Sequence, residues 1–587
     1  MGALYGFSAA CLLATRIEPS GLAALAVALA LLGAGAALRF PSWPALARPA
    51  AAVLAAAAGF ASLLSIELAF FVLVPLLAGA FADPLTRAAG SLRRPAWAAS
   101  ALFAVAAAVL FIQSAERHWQ FASGSMDLGI FVQQHWLIAH GRVPFNTVME
   151  MHMLADHMDL IDYVVAPLVR LGPAAEILLL VQAVVVASAV FPLVWLGERL
   201  AGPAAGLTAA AAFVLAPDVH MGVMFDYNPS VLGSALLLWA AYAMVMCGPL
   251  AATAFVLLAC ASKENFTLYA ATLALTLPLL RLASWRRAAG LAGLALLIFG
   301  LEMVVLFPAF REGGFRHWEF EELGERPGEI AAAIVSHPLR TAELLVDQPD
   351  KRRGLLVPLL GTGYLAAAAP PSLLLVLPNW GERFLSTHRT RWWGYYYGMP
   401  AVAMACLGLL AGWRRLRESG RFTERLPAYV LGCVLLAGIL PPYLTPAGNR
   451  RSDLYYLRQP YASTPSDQRT EQRLVEFVGR DPGLKVAAQY HLLPHLAERP
   501  FVVPLERAEE AEVIALQLDG GTYPRGRPAW KRLLWDIDRR GHYYVAFCEG
   551  DSVALRRKPG RDVACPSWEA LLRSDPGHSA GANAPDP

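Results

Sequence analysis

Long charge-free apolar runs constrain this chain more than any other feature of its sequence. Runs such as 95–115, 177–197 and 394–413 match a helix that crosses a bilayer, which takes about 20 apolar residues. The chain is 56% apolar and only 16% charged, whereas soluble domains carry about 25% charged residues. This composition excludes an ordinary soluble enzyme and a disordered or fibrous protein. The sequence therefore predicts a polytopic α-helical membrane protein.

The number and direction of the crossings follow from the run lengths and the arginine clusters. The runs predict roughly 13 to 15 membrane segments, with the run 227–262 divided into two helices by a Gly-Pro turn at 248–249. Positive residues favour the cytoplasmic side of a membrane, and we place the main arginine clusters there. The clusters are 87–94, 281–287 and 414–425. The loops 116–172 and 311–353 and the tail beyond residue 449 then lie outside.

The tail 450–573 differs from the rest, because it has ordinary charge density and no spanning run. Short predicted strands alternate there with predicted helices. The strands are 484–488, 501–503, 512–516 and 543–547, and the helices are 471–480, 491–498 and 530–540. This alternation predicts a small extracytoplasmic α/β domain. The last stretch, 574–587, is rich in Gly, Ala, Pro and Ser and is predicted to be disordered.

Two of the seven cysteines, Cys548 and Cys565, lie in this tail. An outside location is oxidising, so a disulfide between them is one possibility and two free thiols are the other. The remaining cysteines lie in apolar segments and are interpreted as core packing. The chain has no paired-cysteine zinc motif, and its net charge of +3 is too small to indicate a nucleic-acid partner.

The loop after 95–115 contains the densest group of candidate functional residues. Asp127, Asp156 and His157 could bind a divalent cation or supply a general base. The alternative is a solvated loop whose acids cap helices, with Asp127 as the N-cap of a helix over 128–139. Asp226 poses the same choice, between a polar cavity and a cap beside a helix that opens at 228–229.

Two further candidate groups lie beyond this loop. Lys263 and Glu264 interrupt apolar sequence, and ionisable residues at membrane depth are expensive and often functional. They could instead form a solvated or paired surface turn. Arg389, Arg391 and Tyr396 belong to a basic and aromatic stretch. It could be an interfacial aromatic belt, or its arginines could bind a lipid phosphate.

Several of these motifs together resemble a known family. They are Asp-Leu-Gly-Ile-Phe at 127–131, His-Gly at 140–141, Pro-Phe-Asn-Thr at 144–147, Asp-His at 156–157, Phe-Asp-Tyr at 225–227, Lys-Glu at 263–264, Tyr-Tyr-Tyr at 395–397 and His-Leu-Leu-Pro-His-Leu-Ala-Glu-Arg at 491–499. Their order and spacing resemble a predicted-membrane-protein family of bacteria and archaea, the domain of unknown function 2079. The likeness covers residues 97–520. It implies that 1–94 is an extra amino-terminal transmembrane bundle and that 95–449 is the transmembrane core.

The family in turn resembles the GT-C superfamily of membrane glycosyltransferases, which use a polyprenyl-phosphate sugar as donor. An acid in the first large outside loop serves there as base or metal ligand, and Asp127 matches it by position. The resemblance implies a divalent cation, Mg²⁺ or Mn²⁺, with Asp127 and His157 as ligands. The residues it implies for catalysis are Asp127, Asp156 and Asp226. Those it implies for substrate or lipid-phosphate binding are His157, Lys263, Glu264, Arg389, Arg391 and Tyr396.

The chain departs from the family pattern at three positions. Asn228 stands where the pattern has His, Ser230 where it has Glu, and Asn265 where it has Asp. Two acids and one imidazole are therefore absent, which bears on metal binding at these positions and on whether this member is active.

The resemblance implies a glycosyltransferase of the bacterial cytoplasmic membrane that moves a sugar to a glycan, lipid or protein acceptor on the outer face. The alternatives are a transporter or flippase, which would use the same charged residues as a path, and a non-catalytic scaffold. Geometry distinguishes them. Convergence of the charged residues on one cavity favours an enzyme, an end-to-end tunnel favours transport, and scatter favours a scaffold.

Overall fold

The computed structural model describes residues 95–312, 315–317, 319–324, 327–420, 425–439, 465–479 and 481–574. The predicted amino-terminal bundle 1–94 and all but the first residue of the predicted disordered stretch 574–587 lie outside the described residues. The prediction that the chain is mainly a helical bundle followed by a small α/β unit is confirmed for the described part.

The bundle contains, in chain order, α1 (Pro95–Trp119), α2 (Ile130–Ala139), α3 (Asp162–Val165), α4 (Ala174–Ser188), α5 (Val190–Leu200), α6 (Pro203–Val214), α7 (Pro217–Met224), α8 (Pro229–Met246), α9 (Pro249–Cys260), α10 (Glu264–Leu279), α11 (Trp285–Leu301), α12 (Phe307–Phe310), α13 (Pro327–Ser336), α14 (Pro338–Leu344), α15 (Pro349–Gly361), α16 (Leu377–Phe384), α17 (Met399–Glu418) and α18 (Leu426–Ile439). Proline opens many of them, because it lacks the N–H that a first helical turn leaves unpaired. As predicted, the run 227–262 divides at Gly248, between α8 and α9.

Among the described helices, four are long and apolar enough to cross a membrane. They are Ala96–Trp119, Ala174–Leu200, Pro229–Met246 and Trp285–Phe310. The pair α6 and α7, bent by 45°, makes up to five. The predicted roughly 13 to 15 segments therefore exceed what the described helices supply on this criterion. Several apolar runs form shorter helices instead, such as α9 with 12 residues.

Small residues let the bundle helices approach closely. A Cβ on Gly197 of α5 would lie 2.2 Å from the Cα of Gly206 in α6, so a larger side chain would force these helices apart. A Cβ on Gly412 of α17 would lie 1.8 Å from the carbonyl oxygen of Leu365. Tight packing of this kind replaces the hydrophobic effect as the force between helices in lipid.

The tail folds around a five-stranded mixed sheet with the strand order β4-β3-β5-β7-β6. Its strands and helices, in chain order, are α19 (Pro465–Val478), β3 (Val486–Ala488), α20 (Leu493–Leu496), β4 (Val502–Pro504), β5 (Val513–Gln517), α21 (Arg527–Arg539), β6 (Tyr543–Glu549), β7 (Ser552–Arg557) and α22 (Pro566–Arg573). Strand β3 pairs in parallel with β4 and β5, whereas β7 pairs antiparallel with β5 and β6.

Two details of the predicted tail are wrong. The predicted helix 491–498 is helical only over Leu493–Leu496. The prediction also lacked β7 and α22. Cys548, in β6, forms a disulfide with Cys565, just before α22. This bond resolves the choice between a disulfide and two free thiols.

The sheet docks on the first loop through its edge strand β4. The hydroxyl of Thr147 accepts a hydrogen bond from the Val502 N–H at 3.1 Å and donates one to the Val502 carbonyl at 2.6 Å. Thr147 lies between the two-residue strands β1 (Phe145–Asn146) and β2 (Met151–His152). This contact satisfies backbone groups that an open sheet edge would expose, and it places the tail over the first loop.

Candidate functional site

Asp127 lies in a π-helical turn, Ser125–Gly129, that runs directly into α2. The residue before this turn is Gly124, and no side chain caps it. The capping role considered for Asp127 is therefore wrong, because Asp127 sits inside the turn. Its carboxylate receives no hydrogen bond from any residue that the structure describes, which leaves it available to a ligand.

Asp226, which follows α7, is hydrogen-bonded to the residue that precedes the same turn. Its Oδ1 accepts a hydrogen bond from Arg117 Nη1 at 2.5 Å, and its Oδ2 accepts one from the Gly124 N–H at 3.0 Å. Arg117, near the end of α1, also donates to the carbonyls of Met224 and Phe225 at 3.2 and 2.7 Å. One buried ion pair thus holds α1, the π turn and the end of α7 together.

Both acids have a raised pKa. Burial raises the pKa of Asp127 to about 7, and the negative charge of Asp226 adds to the rise while Arg117 opposes it. Burial also raises the pKa of Asp226 to about 6 against the opposing effects of Arg117 and the Gly124 N–H. The Asp127 carboxyl therefore gains and loses its proton near neutral pH.

The tail domain covers this acidic pair. A Cβ on Gly124 would lie 2.4 Å from the Tyr490 hydroxyl, and a Cβ on Gly129 would lie 2.6 Å from Leu493 Cδ2. Beside the turn lies a small cleft that is lined by Ser125 and by residues of the tail. Tail residues that line the cleft include Gln489, Tyr490, Tyr523, Arg525 and Trp530.

A second polar group lies at the start of α10. His157 Nδ1 is 3.0 Å from Glu264 Oε1, and the Met158 N–H donates to Glu264 Oε2 at 3.1 Å. Lys263 and Glu264 are both buried. The surface-turn interpretation is therefore wrong, since Glu264 pairs with His157 and Lys263 is not solvated.

Asp156 belongs to the same group. Its Oδ1 lies 2.8 Å from His317 Nε2 and 3.3 Å from Arg316 Nη1. Burial alone would raise the pKa of Asp156, but His157, His317 and Arg316 together hold it well below its usual range. Among the described residues, Asp156, His157 and His317 form the group that could hold a metal ion. Asp127, which the resemblance paired with His157 as a ligand, is not part of it.

Tyr396 lies between the two acidic groups. The electrostatic fields of Asp127, Arg391 and Asp159 reach it, and Lys263 Nζ lies 5.9 Å from the centre of its ring. The structure thus brings most of the sequence-predicted site residues into one connected polar layer. These residues are Asp127, Asp156, His157, Asp226, Lys263, Glu264, Arg391 and Tyr396.

The two arginines of the aromatic stretch lie in different surroundings. Arg391 Nε lies 2.9 Å from Glu319 Oε2, and its guanidinium is 6.0 Å from the centre of the Tyr397 ring. Arg389 is exposed and is not brought into this polar layer. Of the two candidate phosphate-binding arginines, only Arg391 therefore faces the remaining site residues.

Two of the three departures from the family pattern have side-chain partners here. The side chain of Asn228 caps α8 by accepting the Ser230 N–H at 3.0 Å. Asn265 donates to both carboxylate oxygens of Glu382, at 2.9 and 2.8 Å. The Tyr269 hydroxyl also donates to Glu382. An amide suits this position because a second carboxylate would repel Glu382.

Sequence reasoning missed several residues of the site. Arg117, Glu382 and Tyr490 each lie in a different segment from the motifs they contact, and no local pattern marks them. Arg316 and His317 are basic residues of the long loop 311–353, where the sequence makes them weaker candidates for phosphate binding than Arg389 and Arg391. Their roles come from contacts across more than a hundred positions, such as the 161 between Asp156 and His317.

Comparisons with known proteins agree with this architecture. The structure of ArnT from Cupriavidus metallidurans bound to undecaprenyl phosphate aligns with a TM-score of 0.50 and 14% identity, over 79% of this chain and 99% of ArnT. The apo oligosaccharyltransferase of Archaeoglobus fulgidus aligns with a TM-score of 0.38 and 11% identity, over 79% of this chain and 75% of that one. Comparison with curated proteins finds no sequence match.

The likeness to ArnT shows the fold, and it confirms the expected resemblance to GT-C glycosyltransferases at that level. The apolar helices agree with a multi-pass membrane protein. A family model described as a predicted membrane protein, domain of unknown function 2079, matches residues 117–549. Because this match covers well over half of the chain, the chain belongs to the family of domain of unknown function 2079.

Proposed function

We propose that this chain is a glycosyltransferase of the bacterial cytoplasmic membrane, with its tail domain outside the cell. It transfers a sugar from a polyprenyl-phosphate donor to a glycan, lipid or protein acceptor on the outer face. The observation that carries the proposal is the Asp127 carboxyl, which is free of hydrogen bonds from described residues. Its turn lies under the tail domain, and its charge reaches Tyr490, a tail residue that lines the cleft.

Asp127 is the general base of the proposed reaction. A base works best when its pKa lies near the working pH, and burial raises the pKa of Asp127 to about 7. The ionised carboxylate takes a proton from the acceptor nucleophile as that nucleophile attacks the sugar carbon that bears the phosphate. Asp226 and Arg117 position the turn that holds Asp127.

The positive side of the polar layer suits a lipid phosphate. Lys263 lies near the ring of Tyr396, and Arg391 lies near the ring of Tyr397. Their charges would stabilise the phosphate as it leaves, and charge stabilisation is usually the largest catalytic contribution. An undecaprenyl phosphate is bound to ArnT, whose fold this chain shares, which supports a donor of that class.

The cleft between Ser125 and the tail suits the acceptor. Tyr490 and Tyr523 pack edge to face with ring centroids 4.8 Å apart, and both line the cleft with Arg525. Aromatic faces beside a polar group are suited to bind a sugar ring or a peptide. The convergence of acids and bases on one layer also favours an enzyme over a scaffold.

The decisive test replaces Asp127 with Asn in the full-length protein. We expect transfer from an undecaprenyl-phosphate-linked sugar to fall by about 10²- to 10⁴-fold, the usual range for loss of general-base catalysis. Asp538→Asn, at an exposed acid of α21, is the matched control and should leave transfer unchanged. Mass spectrometry of the lipid-linked sugars that accumulate after deletion of the gene identifies the donor sugar for this assay. Unchanged transfer in Asp127→Asn would contradict the assignment of Asp127 as the base. An unchanged pool of lipid-linked sugars after deletion of the gene would contradict the proposed class of donor.

A further inference from the structure

Asp156 and His157 of the first loop meet His317 from a distant part of the chain. One ligand atom from each of the three residues lies within 4.8 Å of the other two. We propose that Asp156, His157 and His317 form a binding site for a divalent transition-metal ion of the zinc class. The inference does not depend on the proposed glycosyl transfer, because metal binding can be measured without any substrate.

The donor atoms decide the class of metal. Two imidazole nitrogens and one carboxylate oxygen are ligands that Zn²⁺ prefers, and three protein ligands leave one position open. Mg²⁺ instead takes oxygen ligands and keeps several waters. The group therefore fits a zinc-class ion better than the Mg²⁺ implied by the family resemblance.

Glu264 supports the site in the way that a neighbouring carboxylate supports a metal-bound histidine. Its Oε1 lies 3.0 Å from His157 Nδ1, and its Oε2 accepts the Met158 N–H at 3.1 Å. This contact keeps the proton of His157 on Nδ1 and leaves Nε2 free to bind an ion. The side chain of Glu264 is only 5% exposed, so its orientation is fixed.

His317 is already positioned against the other two ligands. Its ring stacks on that of His157 with centroids 4.3 Å apart and an angle of 14° between the planes. Its Nε2 lies 2.8 Å from Asp156 Oδ1. A bound ion would replace this contact with two metal–ligand bonds. It would also hold the first loop and the segment around His317 together.

Glu319, two residues after His317, would connect a bound ion to Arg391 in the rest of the polar layer. Glu319 ion-pairs with Arg391 at 2.9 Å, and its carbonyl accepts the Thr387 N–H at 3.0 Å. An ion that fixes His317 would therefore also fix the position of Arg391. The metal has a positioning role here, and its binding is coupled to the order of this segment.

An ion-pair network without metal is the competing explanation. Arg316 Nη1 lies 3.3 Å from the same Asp156 oxygen and would compete with an ion for it. The two explanations predict opposite effects of Arg316→Gln. Removing the competing guanidinium should tighten metal binding at a true site, whereas zinc would have no affinity to gain at a simple ion-pair network.

The test uses the full-length protein in detergent, stripped with a chelator and then titrated with Zn²⁺ or Mg²⁺. We expect about one zinc ion per chain, and no displacement by Mg²⁺. Glu264→Gln should weaken binding by about 10- to 100-fold, as loss of a carboxylate behind a ligand does. His317→Ala and Asp156→Asn should abolish stoichiometric binding, while Arg316→Gln should bind zinc more tightly than the wild type. His140→Ala, at an exposed histidine, is the control and should not change it.

Circular dichroism and size-exclusion elution show whether each variant is folded. Zinc content in the wild type equal to that of His317→Ala would overturn the proposal, as would preference for Mg²⁺. Zinc binding in Arg316→Gln that is no tighter than in the wild type would favour the metal-free network. Because the zinc-binding measurements need no sugar donor or acceptor, a failed transfer assay would not change their outcome.

Discussion

The perturbed carboxyl of Asp127 should make the protein less stable as the pH rises. Its pKa is about 7 in the folded chain, against an ordinary value of 3.8. Between these two values the folded chain binds more protons than the unfolded chain, so the free energy of unfolding falls as pH rises through this window. The gap corresponds to a loss of about 4 kcal/mol at 1.36 kcal/mol per pH unit. This is an upper bound, because solvent screening reduces it.

Replacement of Asp127 by Asn removes the ionisation and hence this loss. Because described residues donate no hydrogen bond to the Asp127 carboxylate, the substitution takes no acceptor away from them. We expect Asp127→Asn to match the wild type near pH 4 and to exceed it by up to about 4 kcal/mol near pH 8. A catalytic group whose removal stabilises the fold is a common compromise between stability and activity.

The assay is denaturant titration of both proteins in detergent micelles at pH 4 and pH 8. Asp538→Asn, which replaces an exposed acid, controls for the general loss of a negative charge. The reasoning is refuted if the difference between Asp127→Asn and wild type is the same at both pH values. It is also refuted if Asp127→Asn is the less stable protein at pH 8.

Three further predictions follow from named contacts. Arg117→Met should lower the free energy of unfolding by about 3–5 kcal/mol, because it leaves Asp226 buried and unpaired. Asp226→Asn in the same chain should restore part of it in a double-mutant cycle. Asn265→Asp should destabilise the protein by about 1–3 kcal/mol by losing its hydrogen bonds to Glu382, and Glu382→Gln should rescue it in thermal unfolding. Cys548→Ser should cost the tail about 3 kcal/mol, measured as a lower denaturant midpoint that matches the reduced wild type.

The helices of the bundle were predictable because apolar run length is a local property. The division at Gly248 was also predictable, since a Gly-Pro pair favours a turn wherever it occurs. Strand β7 was not found because Ser552–Arg557 ends in arginines and lies inside the sheet only by its pairing with β5 and β6. Its strand character is a property of the sheet.

The candidate site was predictable only where its residues follow one another. Asp156 and His157 are adjacent, and so are Lys263 and Glu264. Each pair could be recognised as polar residues that interrupt apolar sequence. Their partners are visible only in three dimensions. His317 approaches Asp156 because neighbours of both, such as Met153 and Phe315, pack in one apolar cluster, and a single sequence contains no signal for that.

The Thr147 contact with Val502 also sets an order of events during synthesis. The two residues are separated by 355 positions. A ribosome that adds about 5–20 residues per second needs tens of seconds to span that distance. The first loop therefore reaches its destination long before the strand that covers it. Until the tail emerges and folds, no tail residue covers the turn of Asp127, and the cleft that the tail lines does not exist. A nascent or truncated chain therefore has no assembled site.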